Sequence, residues 1–262
     1  MSDARAFVGV SALVLVVSAA ITIVWCASMS AMGGMSMPGG WTMSMTWMRM
    51  PGQSWSGAAA MFLGMWIVMM IAMMLPSLAP MLWRYRQTAS ATSETRLRRL
   101  TALVGVGYFF MWTLIGAIVF PIGLALAAIQ MQHPAIARAA PLAGAVVVLL
   151  AGCLQFTRWK LRHLACCRAS AVCSRSVPDD EASAWRYGMR LGLHCAQCCA
   201  GLIAILLAVG VMDPTAMAIV AVAITVERIS SAGERVARII GAIVVATGSL
   251  MIAITLLPAL RG

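Results

Sequence analysis

Three cysteines fall within five residues, Cys195, Cys198 and Cys199, with His194 and Gln197 beside them. Spacings of three and four set all three sulfurs on one face of a helix. Soft thiolates so grouped suit a two- or three-coordinate Cu(I) site, or with a fourth ligand a zinc site. The cysteines open the fifth apolar run, so the spacing predicts them at the cytoplasmic start of a helix, where the N-terminus favours the thiolate. His163, Cys166, Cys167 and Cys173 follow the fourth run on the same side and are candidates to complete the ligand set. A redox dithiol is the alternative reading of Cys-x-x-Cys, although no βαβ context accompanies it.

A second concentration of sulfur lies upstream. Of 22 methionines, 15 fall between Met29 and Met81. Eight of them, Met29, Met32, Met35, Met37, Met43, Met45, Met48 and Met50, are interleaved with Ser, Gly and Trp. That composition predicts a flexible segment unable to bury its own side chains. Thioethers carry no proton, prefer soft ions such as Cu(I), and persist where thiols would oxidise. The series continues as Met61, Met65, Met69 and Met73, spaced by four, with Met70 and Met74 as a parallel pair. On a helix this is a ladder with one thioether per turn of about 5.4 Å. Methionine is also an adaptable apolar filler, so packing alone accounts for part of the pattern.

The elements that must carry these residues are membrane helices. The chain has 262 residues, 62% of them hydrophobic and only 10% charged. That is too little charge for a water-facing surface, where about 25% is usual. Apolar runs are long enough to cross a bilayer at about 7–27, 58–83, 101–130, 139–156, 191–212 and 236–257. A shorter one at 214–226 follows Asp213-Pro214, a cap and first-turn proline. The fold class is therefore all-α, a polytopic transmembrane bundle of about seven helices with the sixth short. Residues 1–57 form the first helix and a Met-rich outer loop; residues 58–262 form the helical membrane domain with a cytoplasmic Cys-rich loop. Intramembrane charge is scarce. Glu227 and Arg228 end the short helix near an interface, where capping and snorkelling are the expected roles.

The 19 bases against 8 acids report topology rather than nucleic-acid binding. Sixteen of the bases fall in Arg5, Arg84–Arg99, Arg158–Arg190 and Arg228–Arg238, which sets the N-terminus in the cytoplasm. The first run is too long for a secretory signal and lacks a cleavage site, so it reads as a retained helix. The expected location is multi-pass in a bacterial inner membrane. No phosphate-binding loop, Ser-His-Asp set or paired carboxylates can be picked out, which leans against an enzyme.

Several motifs resemble a bacterial family of predicted metal-binding integral membrane proteins (domain of unknown function 2182). They are Met69-Met70-Ile71-Ala72-Met73-Met74-Leu75-Pro76-Ser77, Gln155-Phe156-Thr157-Arg158-Trp159-Lys160, Cys166-Cys167-Arg168, and the stretch from Gly192 to Ala200. Gly210-Val211-Met212 and Glu227-Arg228 add to them. His163 stands where the family has its first cysteine, while Gln197 and Ala200 replace a Gly and a Trp. The likeness runs from about Gly57 to Met251 and implies metal binding. Together the residues predict a membrane protein for a soft metal, Cu(I) first, with zinc as the alternative. The ion would pass from outer methionines to inner thiolates for uptake or delivery. The expected metal residues are Cys195, Cys198, Cys199, His194, His163, Cys166, Cys167, Met61, Met65, Met69 and Met73. Expected partners are the lipid bilayer and a metallochaperone or membrane oxidase. Rival readings are an oxidase assembly subunit that translocates nothing and a membrane thiol-redox protein.

Overall fold

The computed structural model describes residues 2–31, 33–48, 52–88, 93–168 and 180–261. Eight α-helices are present among them: α1 (Ser2–Ala31), α2 (Trp55–Thr88), α3 (Glu94–Gln132), α4 (Pro134–Leu154), α5 (Arg158–Arg168), α6 (Glu181–Val209), α7 (Pro214–Ile229) and α8 (Gly233–Arg261). Six of these, all but α5 and α7, are long and apolar enough to cross a membrane. Each of the seven expected runs holds a helix, although α4 stops at Leu154 and α6 at Val209, short of the ends expected. The eighth helix, α5, lies in what the sequence reads as a loop.

Burial ranks the helices. The apolar stretches of α2 and α6 are 44% and 39% buried against 6% for α1, so α2 and α6 are central and α1 is peripheral. Exposed Val and Leu side chains along α1 fit a helix whose neighbour is hydrocarbon.

The contact between α3 and α6 is the most extensive in the bundle. It rests on glycine. A Cβ at Gly188 would collide with the Val104 carbonyl; at Gly192 it would stand 2.7 Å from the Tyr108 carbonyl oxygen, and at Gly107 2.6 Å from that of Trp185. Gly188 and Gly192 are one turn apart, the small-xxx-small spacing that lets membrane helices touch backbone to backbone. Gly188→Ala is therefore expected to force α3 and α6 apart and cost about 1–3 kcal/mol, the usual range for overpacking. A thermal unfolding curve in detergent checks this; an unchanged midpoint would mean the crossing is looser than described.

Helix starts follow local chemistry. Asp213 caps α7, accepting from the backbone N–H groups of Thr215 (2.8 Å) and Ala216 (3.1 Å) ahead of Pro214. Asp180 caps α6 by accepting from the Ser183 backbone N–H at 3.1 Å, while the Ser183 side chain returns the contact. These Ser183 hydrogen bonds hold the exposed Asp180 carboxyl below its ordinary pKa.

The Met-rich outer segment differs from expectation. It folds into a short hairpin, β1 (Met35–Met37) against β2 (Trp41–Met43), turned by Gly39 and Gly40 at positive φ. Met37 and Met43 are buried against Ala127, Ala137 and Trp47, and the Trp41 indole donates to the Ala137 carbonyl at 2.8 Å. The segment cannot bury its methionines alone, but α3 and α4 supply the missing surface. Met32 and Met50 lie outside the described residues.

Candidate metal centre

The sulfur-rich centre lies where α2, α3, α5, α6 and α7 meet. Cys195, Cys198 and Cys199 are all buried on one face of α6. The expected placement at the helix start is corrected here. Asp180 begins α6 well before the apolar run, and Cys195 is the fifteenth of its 29 residues, roughly 21 Å in. The helix N-terminus therefore does not act on these thiols; side chains from other helices do.

Cys195 is the hub. Its Sγ lies 3.9 Å from Cys199 Sγ and 3.9 Å from Met74 Sδ. It accepts from the Tyr108 hydroxyl at 2.9 Å and the Arg228 guanidinium at 3.2 Å. The same guanidinium reaches Ser77 Oγ at 2.8 Å and Met81 Sδ at 3.1 Å. Cys198 contacts both Cys199 and, across from α5, Cys167. Among the described residues no three His, Cys, Asp or Glu side chains form a preformed cage. The thiols instead make a chain of pairwise contacts that continues into a thioether.

That spacing fits a soft ion. Two sulfurs each about 2.3 Å from a metal stand about 3.8 Å apart in a tetrahedral arrangement and about 4.6 Å apart in a linear one. Both 3.9 Å pairs fall inside this range.

A charged scaffold backs the sulfurs. Lys160 Nζ pairs with Glu227 Oε2 at 2.7 Å and donates to the Cys198 carbonyl at 2.7 Å. Gln155 Nε2 donates to the other Glu227 oxygen at 3.1 Å. Lys160, Leu164 and Cys167 share the buried face of α5 at spacings of four and three. Glu227 and Arg228 thus neither cap nor snorkel: both are buried because α5 and α2 bring them partners from far along the chain.

The expected ligands divide into groups. Met65, Met69 and Met73 are buried along α2, beside Met70 and Met74, while Met61 toward the N-terminal end of the helix is exposed. Cys167 joins the thiols, and Cys166 is half-buried. His163 and His194 face each other with ring centroids 6.1 Å apart, Trp159 stands 4.7 Å from His163, and His194 Nδ1 is buried without a hydrogen-bond partner. Cys173 lies outside the described residues. Sequence reasoning missed Tyr108 altogether, and no spacing signal could have found it. It also missed Lys160 as the partner of Glu227.

The fold and this centre define a multi-pass helical protein with a buried cluster of thiol and thioether groups. Residues 63–251 match the PpoB2 family, described as copper chaperone, and the chain belongs to that family. The match spans nearly the stretch covered by the motif resemblance, and it narrows metal to copper under a different family label. No curated protein and no solved structure matches the chain.

Proposed function

We propose that this chain binds Cu(I) at the Cys195 cluster and delivers it to an acceptor. The observation that carries the reading is Cys195 Sγ, buried and equidistant from a second thiol and a thioether at 3.9 Å. The family's description as copper chaperone supports copper over zinc.

The direction follows from ligand order. Met65, Met69 and Met73 rise along α2 one turn apart, and Met74 on the adjoining column meets Cys195. An ion moving inward along neutral thioethers arrives at thiols, which hold soft ions more tightly. With the basic loops facing the cytoplasm of a bacterial inner membrane, the route runs from outer methionines to inner thiols. His163 and His194, with Cys166, lie on the way out toward a metallochaperone or a membrane oxidase. An oxidase assembly subunit that binds without translocating would show the same binding but no Cu(I) flux in liposomes.

Anaerobic Cu(I) titration against a competing chelator tests the reading. The wild-type chain is expected to bind stoichiometrically, and the Cys195→Ala/Cys198→Ala/Cys199→Ala variant to lose that binding. Equal, weak binding in both would reduce the cluster to packing and end the proposal.

A further inference from the structure

We infer that a second soft-ion site, made of thioethers alone, sits at the outer mouth of the bundle between α1, the segment before α2, and α2 itself. The inference rests on the copper reading above and adds the place where the ion is first received.

One cavity at this end is lined by four methionines: Met29 near the end of α1, Met48 after the 3₁₀ turn Met45–Trp47, and Met61 and Met65 one turn apart on α2. Phe62 and Phe120 close its apolar side, and Thr46 and Gln53 are its polar lining. Gln53 Nε2 points at Met61 Sδ from 3.8 Å, a contact that biases this otherwise free thioether toward one orientation. None of the described residues in the lining titrates. A cavity of this chemistry offers no counter-charge to a divalent or hard cation. It suits a monovalent soft ion, for which neutral sulfur is the preferred donor.

Position separates this site from the rest of the sulfur. Met65 is both its inner wall and the first buried rung of the α2 series, which ends at Met74 against Cys195. Met65 to Met74 spans nine residues, roughly 13.5 Å along the helix. The cavity and the thiol cluster are thus two ends of one series. Met29, Met48 and Met61 precede the stretch that matches the copper chaperone family, so three of the four thioethers are contributed from outside it.

The probe is Ag(I), a redox-inert stand-in for Cu(I), titrated into the full chain in detergent. In a background with all eight cysteines changed to alanine, one equivalent should persist, with the same affinity at pH 5 and pH 8. Adding Met29→Leu, Met48→Leu and Met61→Leu, near-isosteric changes, should weaken it at least about tenfold, the loss that even an outer-shell partner causes at metal sites. Absence of the residual equivalent, or its indifference to the methionine changes, overturns the second site while leaving the thiol cluster standing. Failure of the wild-type chain to bind Ag(I) at all would overturn the copper reading and this one together. Should the cysteine-free chain not fold, methionine methyl NMR on the wild type decides. The second equivalent must shift the Met29, Met48, Met61 and Met65 resonances, and unmoved signals overturn the site.

Discussion

Lys160→Met is expected to destabilise the folded chain by about 3–5 kcal/mol, the cost of leaving one member of a buried ion pair alone. The Lys160 and Glu227 side chains are only 4% and 1% exposed, so water cannot replace the missing ammonium. Glu227 would keep one hydrogen bond, from Gln155, and the Cys198 carbonyl would lose the donor that Lys160 adds to it. Adding Glu227→Gln to that variant should restore much of the loss, because the orphaned charge is then gone. Chemical unfolding of the wild type, both single variants and the double variant closes the cycle. If the losses simply add, the pair is not coupled. The consequence extends to the site, since this pair joins α5, α7 and the turn after α4 to the backbone of the cysteine helix.

Arg228→Lys should weaken Cu(I) binding by roughly 10–100-fold, the range found for outer-shell partners of metal ligands. The guanidinium serves Ser77, Cys195 and Met81 at once from a planar fork. An ammonium is a single point donor and cannot reproduce that geometry. Charge adds to the effect. Lys160 and Glu227 cancel each other, whereas two thiolates around one Cu(I) carry one net negative charge. Arg228 is the buried cation placed to neutralise it. Chelator competition on the variant measures the change, and an unaltered affinity would show that Arg228 only fills space.

The sequence disclosed the apolar runs and the sulfur on them, because both signals are local. The α2 thioethers and the cysteine face of α6 follow from spacing alone. What it concealed is instructive. The start of α6 was obscured because the helix begins with ten amphipathic residues, Glu181 to Arg190, that do not read as a span. Charge at a helix end ordinarily means an interface, and Glu227 departs from that rule only because Lys160, 67 residues away, reaches it. The α5 face of Lys160, Leu164 and Cys167 has helical spacing, but its polar flanks read as loop. Gly188 and Gly192, one turn apart, went unread as a close-packing pair, and what they position, the Tyr108 hydroxyl on Cys195, leaves no local signal.

The sealing of the cluster sets a timescale. Met74 and Cys195 are 0% exposed and Cys198 and Cys199 1%, so no small chelator reaches the sulfurs while the helices stay packed. Departure of an ion bound there would then wait on helix separation, a motion of microseconds to seconds, rather than on ligand exchange. With Cys167 and Lys160 of α5 lying directly over Cys198, a protein able to draw α5 aside would be served before any ligand free in solution. In a chain that delivers copper, burial of this kind would convert affinity into selectivity among recipients, exercised through waiting time.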